Sequence, residues 1–246
     1  MTPKSNALFH FTKNVETLKL VLKGGFWPRY CLEDVAWLGY EQFSYIGYPM
    51  VCFCEIPLTR ISEHVDFYGS FGIGLTREWA EKNGLNPVFY VSGGNNVSGA
   101  FRELNTLSNQ GGDAGITAKI KVVLRDFLAF TKPTFGTMII EDKPIEKAFY
   151  QESEWRYIAK HDDVKQYILQ SVYDDVEKRA DHNEDTRENC LLKVAPSDIR
   201  YIFVRRDSDI PEIINFIQAE LDAYPSADLK VLMSRVVSLE SISLDM

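Results

Sequence analysis

Residues 8–25 read Leu8-Phe9-His10-Phe11-Thr12-Lys13-Asn14-Val15-Glu16-Thr17-Leu18-Lys19-Leu20-Val21-Leu22-Lys23-Gly24-Gly25, and their hydrophobic period changes midway. Up to Thr12 the alternation is two-residue, so Leu8, His10 and Thr12 share one strand face and Phe9 and Phe11 the other. Asn14 is a good helix N-cap, after which Val15, Leu18, Val21 and Leu22 recur at helical spacing until Gly24-Gly25 stops them. The same exchange of periods recurs irregularly downstream. Strands are expected at Pro49–Glu55, Gly69–Leu75, Pro87–Val91, Thr137–Ile140, Ala148–Ala159, Cys190–Val194, Tyr201–Arg205 and Val236–Leu239. Helices are expected at Ser62–Tyr68, Thr76–Asn83, Ala118–Phe130, Val164–Lys178 and Ile210–Leu221, with a less regular one before the Gly111-Gly112 loop. The aromatic-rich stretch from Phe26 to Tyr48, including Tyr40 and Phe43, has poor periodicity and reads as an ordered loop around a short helix. Strands outnumber helices and no βαβ unit repeats, which makes the fold α+β.

Composition bounds the rest. The chain has 246 residues, 45% hydrophobic and 25% charged, with 27 Lys plus Arg against 35 Asp plus Glu, hence 27 − 35 = −8. This is a globular composition of a length that suits one main domain, read as residues 1–246 with an acidic helical or loop insertion at about 164–189. The acidic balance argues against duplex nucleic acid bound through the overall field, though Lys119, Lys121 and Arg125 form a local basic patch. No apolar run follows Lys4 as in a signal peptide and none has transmembrane length, so a cytoplasmic protein without membrane contact is expected. Cys31, Cys52, Cys54 and Cys190 lack metal-site spacing and read as reduced thiols, with no metal expected.

Three polar groups interrupt apolar strands. His10 and Thr12 share a strand face, where a neutral imidazole and a hydroxyl can bind one ligand; a lone strand histidine is otherwise structural. Tyr68-Gly-Ser-Phe-Gly-Ile-Gly74 places glycines in a strand, which marks close approach by a ligand or another backbone. Its spacing is not that of a dinucleotide fingerprint, and a β-bulge explains the glycines as well as a ligand does. In Tyr150-Gln-Glu152-Ser-Glu154-Trp-Arg156 a two-residue period puts Glu152, Glu154 and Arg156 together, either in a site or on a solvated edge.

In this order, Leu8-Phe-His-Phe-Thr12, Cys54-Glu-Ile-Pro-Leu58, His64, Tyr68-Gly-x-Phe-Gly-Ile-Gly74, Pro87-Val-x-Tyr90 and Glu152-x-Glu-Trp-Arg156 resemble the abortive-infection family typified by AbiGi, a group of bacterial phage-resistance proteins. Asp198-Ile-x-Tyr-Ile202 and Asp228-Leu-Lys-x-Leu232 extend that resemblance over nearly the whole chain. A more distant similarity is to the ADP-ribosyltransferase fold, with its split mixed and antiparallel sheets and flanking helices. That likeness implies NAD as co-substrate. It places His10 at the first-strand position and Glu152 or Glu154 at the late-strand position, the second glutamate of a Glu-x-Glu pair being favoured as catalytic. Tyr68 stands nearest the central-strand position, which has no clean match. Thr12, Gly69 and Arg156 complete the cofactor-facing set, and Arg29 or Arg77 would meet the pyrophosphate. Such a carboxylate would stabilise the oxocarbenium ion formed as the nicotinamide–ribose bond breaks.

Two functions follow from these resemblances. One is an NAD-dependent ADP-ribosyltransferase-like toxin that modifies a protein or nucleic-acid acceptor. The other is a non-catalytic antitoxin or phage sensor that keeps the fold and pairs Glu154 with Arg156 internally. A cognate toxin or antitoxin is the implied partner in either case. A nuclease reading lacks both a metal-spaced carboxylate cluster and a phosphate loop.

Overall fold

In chain order the elements begin β1 (Ala7–Thr12), α1 (Val15–Gly24), β2 (Arg29–Asp34), β3 (Tyr45–Cys54), α2 (Ile61–Tyr68), β4 (Phe71–Thr76) and α3 (Arg77–Lys82). Next come β5 (Asn86–Pro87), β6 (Phe89–Val91), α4 (Asn96–Asn109), α5 (Ala114–Ala129), β7 (Thr131–Pro133), β8 (Phe135–Ile140), β9 (Lys143–Ala148) and β10 (Glu154–Ile158). The remainder is β11 (Ile168–Leu169), α6 (Gln170–Tyr173), α7 (Val176–Asn189), β12 (Ile199–Val204), α8 (Ile210–Glu220), α9 (Ser226–Met233), β13 (Val236–Ser238) and α10 (Leu239–Leu244). This computed structural model describes residues 5–39, 44–109, 114–140 and 143–244. Tyr40, Phe43 and the Gly111-Gly112 loop lie outside the described residues. The α+β class holds: parallel pairs (β12 with β13, β6 with β7) accompany antiparallel ones. Among the described residues no helix is long and apolar enough to cross a membrane.

The chain divides into two compact units. The first holds residues up to Trp27, Cys52–Leu85 and Leu191 onward. Its strands run β13-β12-β4-β1, with the Cys52–Cys54 end of β3 beside β1, where Phe9 faces Cys54. The glycine strand explains this sheet. Gly72 lies opposite Phe11 and Phe203, and Gly74 opposite Phe9 and Tyr201. A Cβ on Gly72 would come within 2.6 Å of the Phe11 ring, and one on Gly74 within 3.0 Å of the Phe9 and Tyr201 rings. The missing side chains thus admit a layer of aromatic rings, with Phe9 and Phe203 centroids 5.6 Å apart. Cys54, Ile56 and Ile61 pack into that layer, joined by Val65 and Tyr68 of α2 and Ile242 of α10. Helix α1 buries Leu18, Val21 and Leu22 and contacts β1 and β4, while α8 buries Ile213 and Ile217 and contacts α1. The expected N-cap is present: Asn14 Oδ1 accepts the Thr17 N–H at 2.8 Å.

The second unit holds Pro28–Val51 and Asn86–Cys190. Residues 29–34 form strand β2 rather than loop, paired with β3 from Arg29↔Met50 to Asp34↔Tyr45. Its period was hidden because a charged residue, Glu33, occupies a buried position. The single strand expected at 87–91 splits, β5 pairing with β10 and β6 with β7. The long strand expected over 148–159 opens instead with a 3-10 turn at Phe149–Glu152. Ser153 leaves that turn at φ 45°, left-handed for a residue with a side chain. The helix expected over 164–178 is replaced by β11, the single-turn α6 and, from Val176, α7. Asp175 caps α7 by accepting the Lys178 N–H at 3.2 Å, so the acidic stretch is helical for most of its length. In the first unit, the strand expected at 190–194 reduces to one bridge, Phe26 with Leu192.

Candidate functional site

In the first unit, β1 places His10 opposite Ile73. His10 Nδ1 lies 2.8 Å from the Cys52 carbonyl, which fits an Nδ1–H donor, and its ring packs on Phe26 and Phe53 at 5.0 and 5.6 Å. Desolvation by this surround lowers its pKa below the ordinary 6.5, with the Cys52 hydrogen bond opposing. His10 is therefore a neutral, packed histidine. Thr12 turns its hydroxyl to the chain reversal before α1, donating to the Asn14 carbonyl at 3.2 Å. Gly69 has φ 121°, and a Cβ there would sit 2.3 Å from the Thr12 carbonyl oxygen. The close approach at this glycine is by the backbone of Thr12 and Lys13. Tyr68 packs on His64 at 4.4 Å, and His64 in turn on Phe11. Arg77, one of the two arginines considered for a pyrophosphate, is paired with Glu55.

In the second unit the structure gathers Glu152, Glu154 and Arg156 with three residues that sequence reasoning missed: Glu33, Lys132 and Lys147. Strand β10 aims Glu154 and Arg156 to one side, as a two-residue period requires. The 3-10 turn delivers Glu152 to the same cluster. Arg156, wholly buried, donates from Nε to Glu154 Oε1 at 2.6 Å and from Nη1 to the Ala129 carbonyl at 2.8 Å. Its Nη2 lies 2.8 Å from Glu33 Oε2, an ion pair without hydrogen-bond alignment. Lys132 Nζ donates to Glu154 Oε2 at 2.9 Å, lies 3.7 Å from Glu152 and 4.0 Å from Glu33, and sits over the Phe149 ring at 4.3 Å. Lys147 closes the other Glu152 oxygen at 2.5 Å. The Glu154 N–H donates to the Tyr90 hydroxyl at 2.9 Å.

The electrostatics are balanced. Three carboxylates (Glu33, Glu152, Glu154) face three cations (Lys132, Lys147, Arg156), and all but Lys147 are buried. Burial alone would pull the Lys132 pKa down, but Glu154, Glu33 and Glu152 outweigh it and hold the amine above the ordinary 10.5. Burial raises the Tyr90 hydroxyl as well, while its hydrogen bond to Glu154 opposes. The solvated-edge reading is thereby overturned, because Glu152, Glu154 and Arg156 face protein rather than water. Lys132 was missed because Thr131-Lys-Pro133 looks like a break in the chain. Its one signal was a charge between apolar runs. Glu33 carried a similar signal inside Tyr30-Cys-Leu-Glu33. Among the described residues no group of His, Cys, Asp and Glu is placed to hold a metal ion.

Comparison with known proteins agrees with the sequence motifs. A family model described as "Putative abortive phage resistance protein AbiGi, antitoxin" matches residues 25–205. The chain is 30% identical over 248 residues to an abortive phage resistance protein AbiGi of Lactococcus lactis subsp. cremoris, a match covering 89% of this chain and 99% of that protein. No solved structure matches. On both counts the chain belongs to the AbiGi family of abortive phage resistance proteins.

Proposed function

We propose that this chain is the antitoxin of a phage-defence pair, acting by binding its cognate toxin protein rather than by transferring ADP-ribose from NAD. The observation that carries this reading is the state of Glu152 and Glu154. Both are buried, and each is engaged by two cations of a balanced cluster. A carboxylate that stabilises an oxocarbenium ion needs an open face toward the ribose and a charge not already neutralised. A buried pair of this kind serves to position chain segments, here β10, β2 and β7. The description of the matching family as an antitoxin supports the same reading.

The test has two arms. Induction of the cognate toxin alone should arrest growth, and co-expression of this chain should restore it. Purified chain incubated with labelled NAD and lysate should transfer no label. Growth arrest by this chain alone, with label transfer abolished by Glu154→Gln in a variant that keeps its circular dichroism, would overturn the proposal.

A further inference from the structure

Helix α4 is built inside out. Ser98 and Ser108 are 1% exposed, whereas Leu104 and Leu107 are 47% and 50% exposed and Val97 is also exposed. Val97, Ala100, Leu104 and Leu107 are spaced 3, 4, 3, and so form one stripe on the helix surface. In α5, Ile116, Ile120, Val123 and Phe127 are spaced 4, 3, 4 and form a second stripe, with Ile116, Val123 and Phe127 exposed. Four residues separate the helices, which pack against each other and so run antiparallel. The inward positions (Phe101 and Ser108 in α4, Leu124 and Leu128 in α5) lie on the same rotational side of their stripes. Antiparallel helices packed through that side present both stripes together.

The two stripes are also in step. At 1.5 Å per residue, Leu107 lies about 3 Å back from Asn109, Leu104 about 8 Å, Ala100 about 14 Å and Val97 about 18 Å. Forward from Ala114, Ile116 lies at about 3 Å, Ile120 at about 9 Å, Val123 at about 14 Å and Phe127 at about 20 Å. Counted from the two helix ends that the connection joins, each α4 residue thus has an α5 counterpart at a matching distance, giving four apolar layers. At the outer border of the α4 stripe is Glu103, about 9 Å from Asn109; at that of α5 is Lys119, about 8 Å from Ala114. The borders carry opposite charges at matching distances from those two helix ends.

We infer that this face is the interface of a homodimer, a second copy of the chain completing an antiparallel four-helix bundle. With a two-fold axis parallel to the helices, α4 of one protomer lies against α5 of its partner. All four layers coincide, and Glu103 meets Lys119 across both edges. With the axis perpendicular to the helices, α4 would face α4 and the complementarity would be lost. The spare apolar face is thus matched in register and charge by its own image.

The wild-type chain at micromolar concentration should sediment as a dimer. Leu104→Glu with Val123→Glu should sediment as a monomer with unchanged circular dichroism, both positions being exposed. Glu103→Lys and Lys119→Glu should each weaken the dimer at low salt, and the double exchange should restore it. A monomeric wild type, a dimer persisting in the folded Leu104→Glu/Val123→Glu variant, or no recovery in the exchange would overturn the inference. Since the readout is mass, failure here leaves the antitoxin reading standing.

Discussion

At the scale of single residues, the charged cluster of the second unit is where sequence logic and tertiary logic part. Lys132 touches or faces all three of its carboxylates. Replacing it with Met keeps bulk but strands three buried carboxylates with two cations, one of them at the margin. Loss of one partner from a buried ion group costs about 3–5 kcal/mol. Lys132→Met should therefore destabilise the fold by that amount, read as a lower urea midpoint at unchanged slope. Because Lys132 is raised in the fold, its contribution is complete below 10.5 and fades only as pH climbs through the raised value. His10 has the opposite sign. Its folded pKa lies below 6.5, so from 6.5 downward the unfolded chain takes up the proton first and stability falls with pH. His10→Asn, whose side-chain amide can still donate to the Cys52 carbonyl, should flatten that fall. Urea melts at about pH 7.5 and about pH 5.5 measure it. Glu154 and Arg156 were legible as neighbours because a two-residue period survives in β10. Glu33, Lys132 and Lys147 were not, since they come from strands more than 20 residues away or lie before a turn that breaks the alternation.

At the scale of elements, local chemistry set the starts of α1, α3 and α7. Asn14, Thr76 and Asp175 each cap a helix through a side-chain oxygen. Where long-range pairing decided the state, the sequence misled. Residues 29–34 carry too few apolar alternations to announce a strand, yet β3 supplies a partner edge along their whole length. Helix α7 helps to fasten this strand: Asn183 Oδ1 accepts the Tyr30 N–H at 2.9 Å, and the buried Thr186 hydroxyl lies within hydrogen-bond reach of the Pro28 and Asn183 carbonyls. Asn183→Ala leaves the Tyr30 N–H unpaired, which should cost about 1–3 kcal/mol in thermal unfolding. Faster hydrogen exchange at that amide than at its β2 neighbours would identify the cause. No destabilisation would show that water replaces the bond.

At the scale of the molecule, the charge of −8 keeps its opening meaning. No broad attraction for duplex DNA is expected, and a mobility-shift assay at physiological salt should show no retained complex. A salt-sensitive complex lost on neutralising Lys119, Lys121 and Arg125 would instead assign the basic patch to nucleic acid. Of those three, Arg125 already lies over the Tyr167 ring at 4.8 Å. By itself the sequence determined the α+β class, the caps of α1 and α3, the glycine-bearing strand and the family, because periodicity, caps and short motifs are encoded by neighbours along the chain. Only the tertiary structure decided that the glutamates of the Glu-x-Glu pair are buried and neutralised, and that the apolar stripes of α4 and α5 face outward. Burial and charge pairing are set by residues brought from distant positions. No local period records whether a charge will meet water or another charge.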